Sequence, residues 1–395
     1  MDLQKFLVLF ATFVILSIPL AFVTKNSEQE KVLSLRNSNL MQLKKKNKCP
    51  NCDLSSLNMK GLDLSRSELE GAYLNRANLN KVDLVGANLA GVYLSDADLS
   101  AANMRGVNLS EAELDRANLT LANLAEANLT GAILNGANLG KANMSNADLT
   151  RASLVGVNLN KTNLTSANLT GVSLISVNLK NANLTRVDFA GIDMEGANLV
   201  GANLTGTLLS EADLKGKNLS AVNLSKMNLE GMDFTRAFMK SANLRSANLT
   251  RANLTRVNFV GADLTGANLT GANLTGANLT GANLTRTNLT KVSLAGLILS
   301  KANLTEDVLA GKDLTGADMH GVILSKANLA GAKLAGVSLT EADLTEADLT
   351  GADLTGANLT GANLTGANLT RTNLRGAIRC PTIMPNGEIG RSGCP

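Results

Sequence analysis

From Leu54 to Leu374 the chain places an apolar residue at every fifth position without a slip, which makes 65 consecutive pentads. Leu fills 56 of the centres, Met six and Phe three, at Phe189, Phe234 and Phe259. A second apolar column, mostly Ala and sometimes Val, stands two residues before each centre. The other three positions are polar or Gly, as in Gly266-Ala267-Asn268-Leu269-Thr270. A period of five is neither 3.6 nor 2, so one long helix or strand would scatter these apolar residues over its whole surface. The pattern predicts a solenoid in which each pentad forms one short extended edge with its turn. Ala and Leu then point inward, and Asn and Thr point outward.

The unit Ala-(Asn/Asp)-Leu-(Thr/Ser)-Xaa resembles the pentapeptide repeat family over about 325 of the 395 residues. That resemblance implies an all-β fold, a right-handed quadrilateral β-helix of about 16 coils with capped ends. At about 4.8 Å per coil the rod would be on the order of 80 Å long. One pentad alone cannot fold, because burying a Leu contributes about 1.5–3 kcal/mol while ordering each backbone residue costs about 1–2 kcal/mol. Stability has to accumulate between neighbouring coils. Residues 20 apart should stack, so Asn118, Asn138, Asn158, Asn178, Asn198 and Asn218 form one outward column whose amides can hydrogen-bond as a ladder.

Where the period stops, the chain divides into four expected segments. Residues 1–23 read as a signal peptide or membrane anchor, 24–48 as a polar linker or N-terminal cap, 49–378 as the repeat β-helix and 379–395 as a C-terminal disulfide cap. Phe6 to Val23 is an uncharged apolar run, and if uncleaved it would anchor the chain in a membrane through residues 6–23. Lys25, Lys31, Arg36 and the Lys44–Lys48 cluster follow that run, which favours keeping the rod on the cytoplasmic side. The segments around Cys49-Pro50-Asn51-Cys52 and Cys380-Pro381 through Cys394 resemble the ends of exported cyanobacterial pentapeptide proteins, which implies the periplasm or thylakoid lumen. Leu33, Leu35, Leu40 and Leu43 lie outside the pentad phase and would form either a tether or a short helix whose apolar face covers the first coil.

Four cysteines allow three pairings. A rod of the implied length cannot bring its two ends within the ~4.4–6.8 Å Cα separation that a disulfide needs. The remaining pairing is Cys49 with Cys52 and Cys380 with Cys394, the second closing a hairpin-like plug around an Asn386-Gly387 turn. A redox Cys-x-x-Cys would need a βαβ context that is missing, and a zinc site would need further ligands near Cys49 and Cys52.

Composition leaves little room for chemistry. Trp is absent, Tyr occurs only at 73 and 93, and the one His is His320, on an outward column. Asp343, Asp348 and Asp353 fall on successive sides and so do not converge. No nucleophile–base pair, phosphate loop or metal constellation stands in the sequence, so no catalytic residue, metal or cofactor is expected and the chain reads as a non-enzyme. The net charge of +4 divides into +5 for residues 1–52, −2 for 53–378 and +1 for the tail. A nearly neutral repeat region disfavours a DNA-mimic that binds topoisomerase, and without a basic stripe no nucleic-acid partner is expected.

Two functional classes follow. The first is a non-catalytic structural or protein-interaction rod, exported and, with an uncleaved leader, membrane-tethered, with an unidentified protein partner. Tyr73 and Tyr93, stacked on one outward column, form the candidate patch for that partner or for residues 24–48. The second is a surface-recognition protein with outward Asn and Thr arrays, as in ice-binding β-helices; Thr stands on all four sides, where one dedicated face would be expected. Three charges, Lys217, Asp307 and Lys312, occupy the inward Ala column, where an unpaired charge is costly; Asp307 and Lys312 sit on adjacent sides and could pair.

Overall fold

The structure, a computed structural model, describes residues 28–209 and 214–394. The first described element is a helix, α1, over 28–46. It ends at Asn47, whose φ of 53° is left-handed and whose N–H donates to the Leu43 carbonyl at 2.7 Å. Lys44, Lys45 and Lys46 occupy its last turn, where the carbonyl end of the helix dipole favours cations. Arg36, Asn39, Leu40 and Leu43 recur at spacings of three and four and so share one face. Through that face α1 lies across the start of the repeats: Leu43 is fully buried and Leu40 packs against the core. Arg36 Nε donates to Asp53 Oδ2 at 2.8 Å, and Asn39 Nδ2 donates to the Asp53 carbonyl at 3.0 Å.

From Lys48 onward nearly every described pentad contributes one bridging residue, and most of these pair in parallel with the residue 20 positions later, as in Lys48 with Glu68, Tyr73 with Tyr93 and Asn363 with Ile383. Two hydrogen bonds set this register. The N–H of the central residue donates to the carbonyl 19 positions on, as Leu54 does to Tyr73 at 2.8 Å. The N–H of the Asn-type residue donates back 21 positions, as Asn78 does to Leu57 at 2.9 Å. Four pentads therefore make one level, and each level is bonded to the next. The centres Leu79 to Leu149 are nearly all fully buried, and the Ala column packs beside them. Phe189, Phe234 and Phe259 replace Leu without becoming exposed.

The expected fold class needs correction. An all-β, right-handed quadrilateral β-helix of about 16 coils requires strands, and the repeat region has none: it is coil and turn joined by single-residue bridges. The only sheet among the described residues is an open antiparallel pair, β1 (Thr382–Ile383) and β2 (Ile389–Gly390). The physical cause is the last position of each pentad, which is left-handed at nearly every unit, at Gly61, Gly71 and Gly86 but equally at Arg66, Arg76 and Lys81. Extended backbone cannot continue through a positive φ, so no edge holds two consecutive bridged residues. Gly is the unstrained choice there, and the many Arg, Lys and Ser residues that take the same conformation do so at a local cost.

The membrane expectations are corrected as well. Residues 6–23 lie outside the described residues, and among those described no helix is long and apolar enough to cross a membrane. Nothing in the structure therefore supports a membrane tether.

At the far end, β1 continues the register: Ile383 bridges Asn363, and Thr382 Oγ1 donates to the Leu359 carbonyl at 2.7 Å. The turn between β1 and β2 is closed by Gly387 N–H on the Met384 carbonyl at 2.8 Å, with Gly387 at a φ of 83°. Met384 packs against the core beside Leu369 and Leu374, which are only partly buried at this last level. Cys380 and Cys394 are joined with their Cα atoms 5.0 Å apart, and Cys49 and Cys52 at 5.5 Å.

The seating of α1 rests on one side chain. Leu43→Ala should cost about 2–5 kcal/mol locally. Amide exchange over 36–46 should accelerate while exchange around Leu124 and Met144 stays unchanged; unaltered protection of 36–46 would show that Leu43 does not hold the helix.

Candidate interaction surface

The outward Asn and Asp residues are occupied by the fold itself. Each Oδ1 accepts the N–H two residues later, as Asn118 does from Thr120 at 3.2 Å and Asp148 from Thr150 at 2.9 Å. The Nδ2 group then donates along the stack. On one side these amides form an unbroken ladder from Asp83 through Asn103, Asn123, Asn143, Asn163, Asn183 and Asn203 to Asn223. In the column that begins at Asn118, amide links join Asn138, Asn158 and Asn178 at 2.8 and 3.0 Å.

Threonine hydroxyls are committed too. Thr165 Oγ1 donates to Asn163 Oδ1 at 2.7 Å and accepts from Asn183 Nδ2 at 2.9 Å; Thr250, between Asn248 and Asn268, repeats the arrangement. A hydroxyl has one proton, and here it points back into the protein.

Against that self-satisfied background exposed apolar side chains are scattered on other sides, at Leu121, Leu208, Phe238, Ile298, Val308 and Ile323, and gather on one. Tyr73 and Tyr93 stack with ring centroids 4.7 Å apart and planes within 4°. Tyr73 is 43% exposed, so α1 does not cover it: the helix lands on Asp53, one level earlier in the same column. That column continues through Glu113 to Ile133 and Ser153. Val155 and Ile175 stand two residues beyond Ser153 and Ser173, so they lie on the same side, and both are exposed, Val155 at 61%. Sequence reading found the tyrosines and missed Val155 and Ile175, because they occupy the Thr-type position; aligning exposed positions in steps of 20 would have found them.

The charges on this side are unevenly paired. Arg116 makes two hydrogen bonds to Asp96, 2.8 and 2.9 Å, and holds its carboxyl below the usual range. Glu111 and Glu113, on the level of Arg116, have no ion-pair partner among the described residues, while Asp115 lies within electrostatic reach of Arg116. Further along, Lys215, Asp233, Thr235, Arg236, Thr255 and Arg256 line an open hollow of about 630 Å³. Lys215 pairs with Asp233 at 3.2 Å, and Arg251 with Glu230 at 3.8 Å. Arg236 and Arg256 have no ion-pair partner among the described residues.

Two of the three inward charges follow a rule that the sequence did not reveal. Most donors in the Ala column reach the carbonyl 23 positions earlier: Thr162 to Leu139 at 2.7 Å, Thr287 to Leu264 at 3.1 Å, Lys217 to Met194 at 3.1 Å and Lys312 to Leu289 at 2.7 Å, whereas Thr207 turns to Leu204 at 2.7 Å. Each such carbonyl already takes an N–H from its own turn, and its second lone pair faces the interior. Lys312 therefore does not pair with Asp307, and its burial lowers its pKa. Ser67 Oγ is buried without a partner because it belongs to the first level, where position 23 residues earlier is Lys44, in α1.

Asp307 is the exception that an acceptor-only carboxylate must be. It is 1% exposed; Oδ1 accepts the Thr287 N–H at 3.0 Å and Oδ2 has no partner. Burial pushes its pKa up to about 7, opposed by the backbone N–H groups of Thr287 and Arg286. His320 is a half-buried surface residue, with Nδ1 2.9 Å from Thr340 Oγ1 and Nε2 3.7 Å from Glu341. Among the described residues no group of three or more His, Cys, Asp or Glu side chains is placed to hold a metal.

Comparison with known proteins follows the repeat. The family model for pentapeptide repeats matches residues 52–91, 83–120, 102–140, 122–163, 142–181, 178–216, 212–251, 233–271, 267–306, 308–340 and 342–378. No curated protein matches the chain. Among solved structures, HetL, a pentapeptide repeat protein involved in heterocyst differentiation regulation from the cyanobacterium Nostoc sp. strain PCC 7120, is 29% identical over 64% of this chain and 91% of its own, with a TM-score of 0.18. QnrB1, a plasmid-mediated fluoroquinolone resistance protein, is 17% identical over 58% and 86%, with a TM-score of 0.23. A pentapeptide repeat protein from the Arabidopsis thaliana thylakoid lumen is 29% identical over 33% and 69%, with a TM-score of 0.12.

Asp307 gives a pH test. Its folded pKa, about 7, lies above the unfolded value near 3.9, so the folded state holds a proton that the unfolded state has released. Stability should be full below about pH 4 and fall as pH rises to about 7, by on the order of 4 kcal/mol. Asp307→Asn should flatten that dependence, matching the parent near pH 4 and exceeding it at pH 8 in thermal unfolding. Parallel profiles for the two proteins would contradict the assignment.

Proposed function

We propose, from the premise that this chain belongs to the pentapeptide-repeat family, that it is a non-enzymatic protein that engages a protein partner on the side carrying Tyr73 and Tyr93. The observation behind this reading is contrast. Elsewhere most outward Asn, Asp and Thr groups bond to their own stack and exposed apolar residues such as Leu121, Phe238 and Val308 are scattered, while this side gathers Tyr73, Ile133, Val155 and Ile175 over neighbouring levels, with the carboxylates of Glu111 and Glu113 between them. Exposed apolar groups rimmed by charge are the usual composition of a protein-binding surface.

The same hydroxyl geometry counts against the array-recognition reading. An ice-like lattice needs free, regularly spaced hydroxyls, and those of Thr165, Thr185 and Thr250 are donated inward to Asn163, Asn183 and Asn248. Placement outside the reducing cytosol is supported by two disulfides and no free cysteine; periplasm or thylakoid lumen is the finer reading.

Photo-cross-linking tests the surface. A cross-linking residue at Tyr73 or Val155 should capture a protein partner, one at Leu121, on another side, should not, and Tyr73→Ser/Tyr93→Ser should weaken binding at least about tenfold. Equal capture from Leu121 would remove this side as the docking surface. Thiol labelling tests the compartment: the protein as isolated should show no labelled cysteine until it is reduced, and free thiols in a cytosolic fraction would refute the placement.

A further inference from the structure

We propose that the side next to the tyrosine side binds an oxyanion, a phosphate or sulfate group, in a hollow floored by Gly140. The net charge of −2 over the repeats hides an uneven distribution. In steps of 20 this side comprises residues 116–121, 136–141 and so on through 296–301. These ten blocks contain no Asp or Glu, and each charged residue in them is Lys or Arg. Arg116 is paired with Asp96 of the preceding level, whereas Lys141, Lys161 and Lys180 have no ion-pair partner among the described residues. A side with one sign of charge concentrates ions of the other sign over it.

Gly140 opens a hollow on that side. It is the one Gly among the 65 residues that directly follow a centre. The other repeat glycines sit at left-handed positions, but Gly140 does not, so its backbone has no need of glycine. What glycine supplies is space: a Cβ would stand 3.2 Å from Asn138 Oδ1 and 3.5 Å from Asn158 Nδ2. Gly140 is buried at the bottom of a hollow of about 280 Å³, which Thr120, Asn138, Lys141, Asn158 and Asn160 surround. Thr120 and Asn160 hold the equivalent position on the levels before and after, where a side chain is the rule.

The hydrogen bonds around the hollow occupy the two amide oxygens nearest to Gly140 and spare donors. Asn138 Oδ1 accepts from the Gly140 N–H at 3.1 Å and from Asn158 Nδ2 at 2.8 Å, so both its lone pairs are used. Asn158 Oδ1 accepts from the Asn160 N–H at 3.1 Å and from Asn178 Nδ2 at 3.0 Å. Asn138 Nδ2 and the side-chain amide of Asn160 have no hydrogen-bond partner among the described residues. Lys141 and Lys161 directly follow Gly140 and Asn160 and stand one register step apart, about 4.8 Å. Two ammonium groups and two amide NH2 groups around one concave spot suit a ligand that only accepts hydrogen bonds and carries negative charge. A metal cation would find no carboxylate there.

The test titrates the full chain, with disulfides intact and glycines labelled with nitrogen-15, with sodium phosphate at constant ionic strength. The Gly140 amide, identified as the resonance that Gly140→Thr lacks, should move along a saturating curve while Gly266 and Gly271, on other sides, stay in place. Broadening of the phosphorus-31 line gives the affinity of each variant. Lys141→Glu/Lys161→Glu should weaken phosphate binding at least tenfold with thermal unfolding unchanged. Gly140→Thr should do the same, because it restores the commonest residue of this position and fills the hollow. Lys226→Glu, on another side, should bind like the parent. Linear polyphosphate at equal phosphate separates the sources: binding at least tenfold tighter assigns the hollow to a group carried on a polymer, and equal binding assigns it to the free ion. No saturating shift at Gly140, equal shifts at Gly266 and Gly271, or parent-like binding by Lys141→Glu/Lys161→Glu overturns the proposal and leaves the reading of the tyrosine side untouched.

Discussion

The structure depends on a backbone hydrogen bond that reaches 19 residues forward and its counterpart that reaches 21 residues back. Neither closes a helical turn nor extends a strand. Together they fix the register at 20, and everything else is positioned by that number. The Leu centres meet end to end in the interior because they are multiples of five apart and four of them complete one level. Outward residues of the same kind meet in columns for the same reason. A single inserted or deleted residue would break both sets of contacts at once, which is why the phase runs without a slip from Leu54 to Leu374.

The narrow interior explains what is tolerated and what is not. Ala at the second inward column leaves the facing carbonyl with one lone pair unused, so a hydroxyl or ammonium placed there finds an acceptor without rearrangement. Thr162, Thr287, Lys217 and Lys312 are accommodated in this way. A carboxylate has no proton to offer, and Asp307 is left with one oxygen unpartnered and a raised pKa. Similar economy acts outside: an Asn that accepts from its own turn and donates to the next level leaves little for a ligand. A side that interrupts this pattern with Tyr, Ile and Val is therefore informative, since those residues contribute nothing to the ladder.

Much of this was legible in the sequence, because a period of five names its columns directly. The inward Leu and Ala, the stacking of residues 20 apart and the vertical pairing of Tyr73 with Tyr93 all follow from counting. The strand assignment failed on the fifth position, where Arg66, Lys81 and Ser56 adopt a left-handed backbone that their side chains do not advertise. Pairing of Asp307 with Lys312 failed because the competing acceptors are backbone carbonyls, which no residue letter displays. Val155 and Ile175 went unread because they replace Thr at a position judged by composition alone. The membrane anchor drew on residues 6–23, outside the described structure, and the described residues contain no spanning helix.

The register is the central claim, and a distance along one column measures it most directly. Asn258 and Asn358 are joined by an unbroken series of bridges through Asn278, Ile298, Asp318 and Ser338, which is five steps. Spin labels on cysteines introduced at those two positions, read by double electron–electron resonance in protein diluted with unlabelled chain, should give one narrow distribution near about 24 Å. A broad distribution, or one centred beyond about 35 Å, would contradict a register of 20.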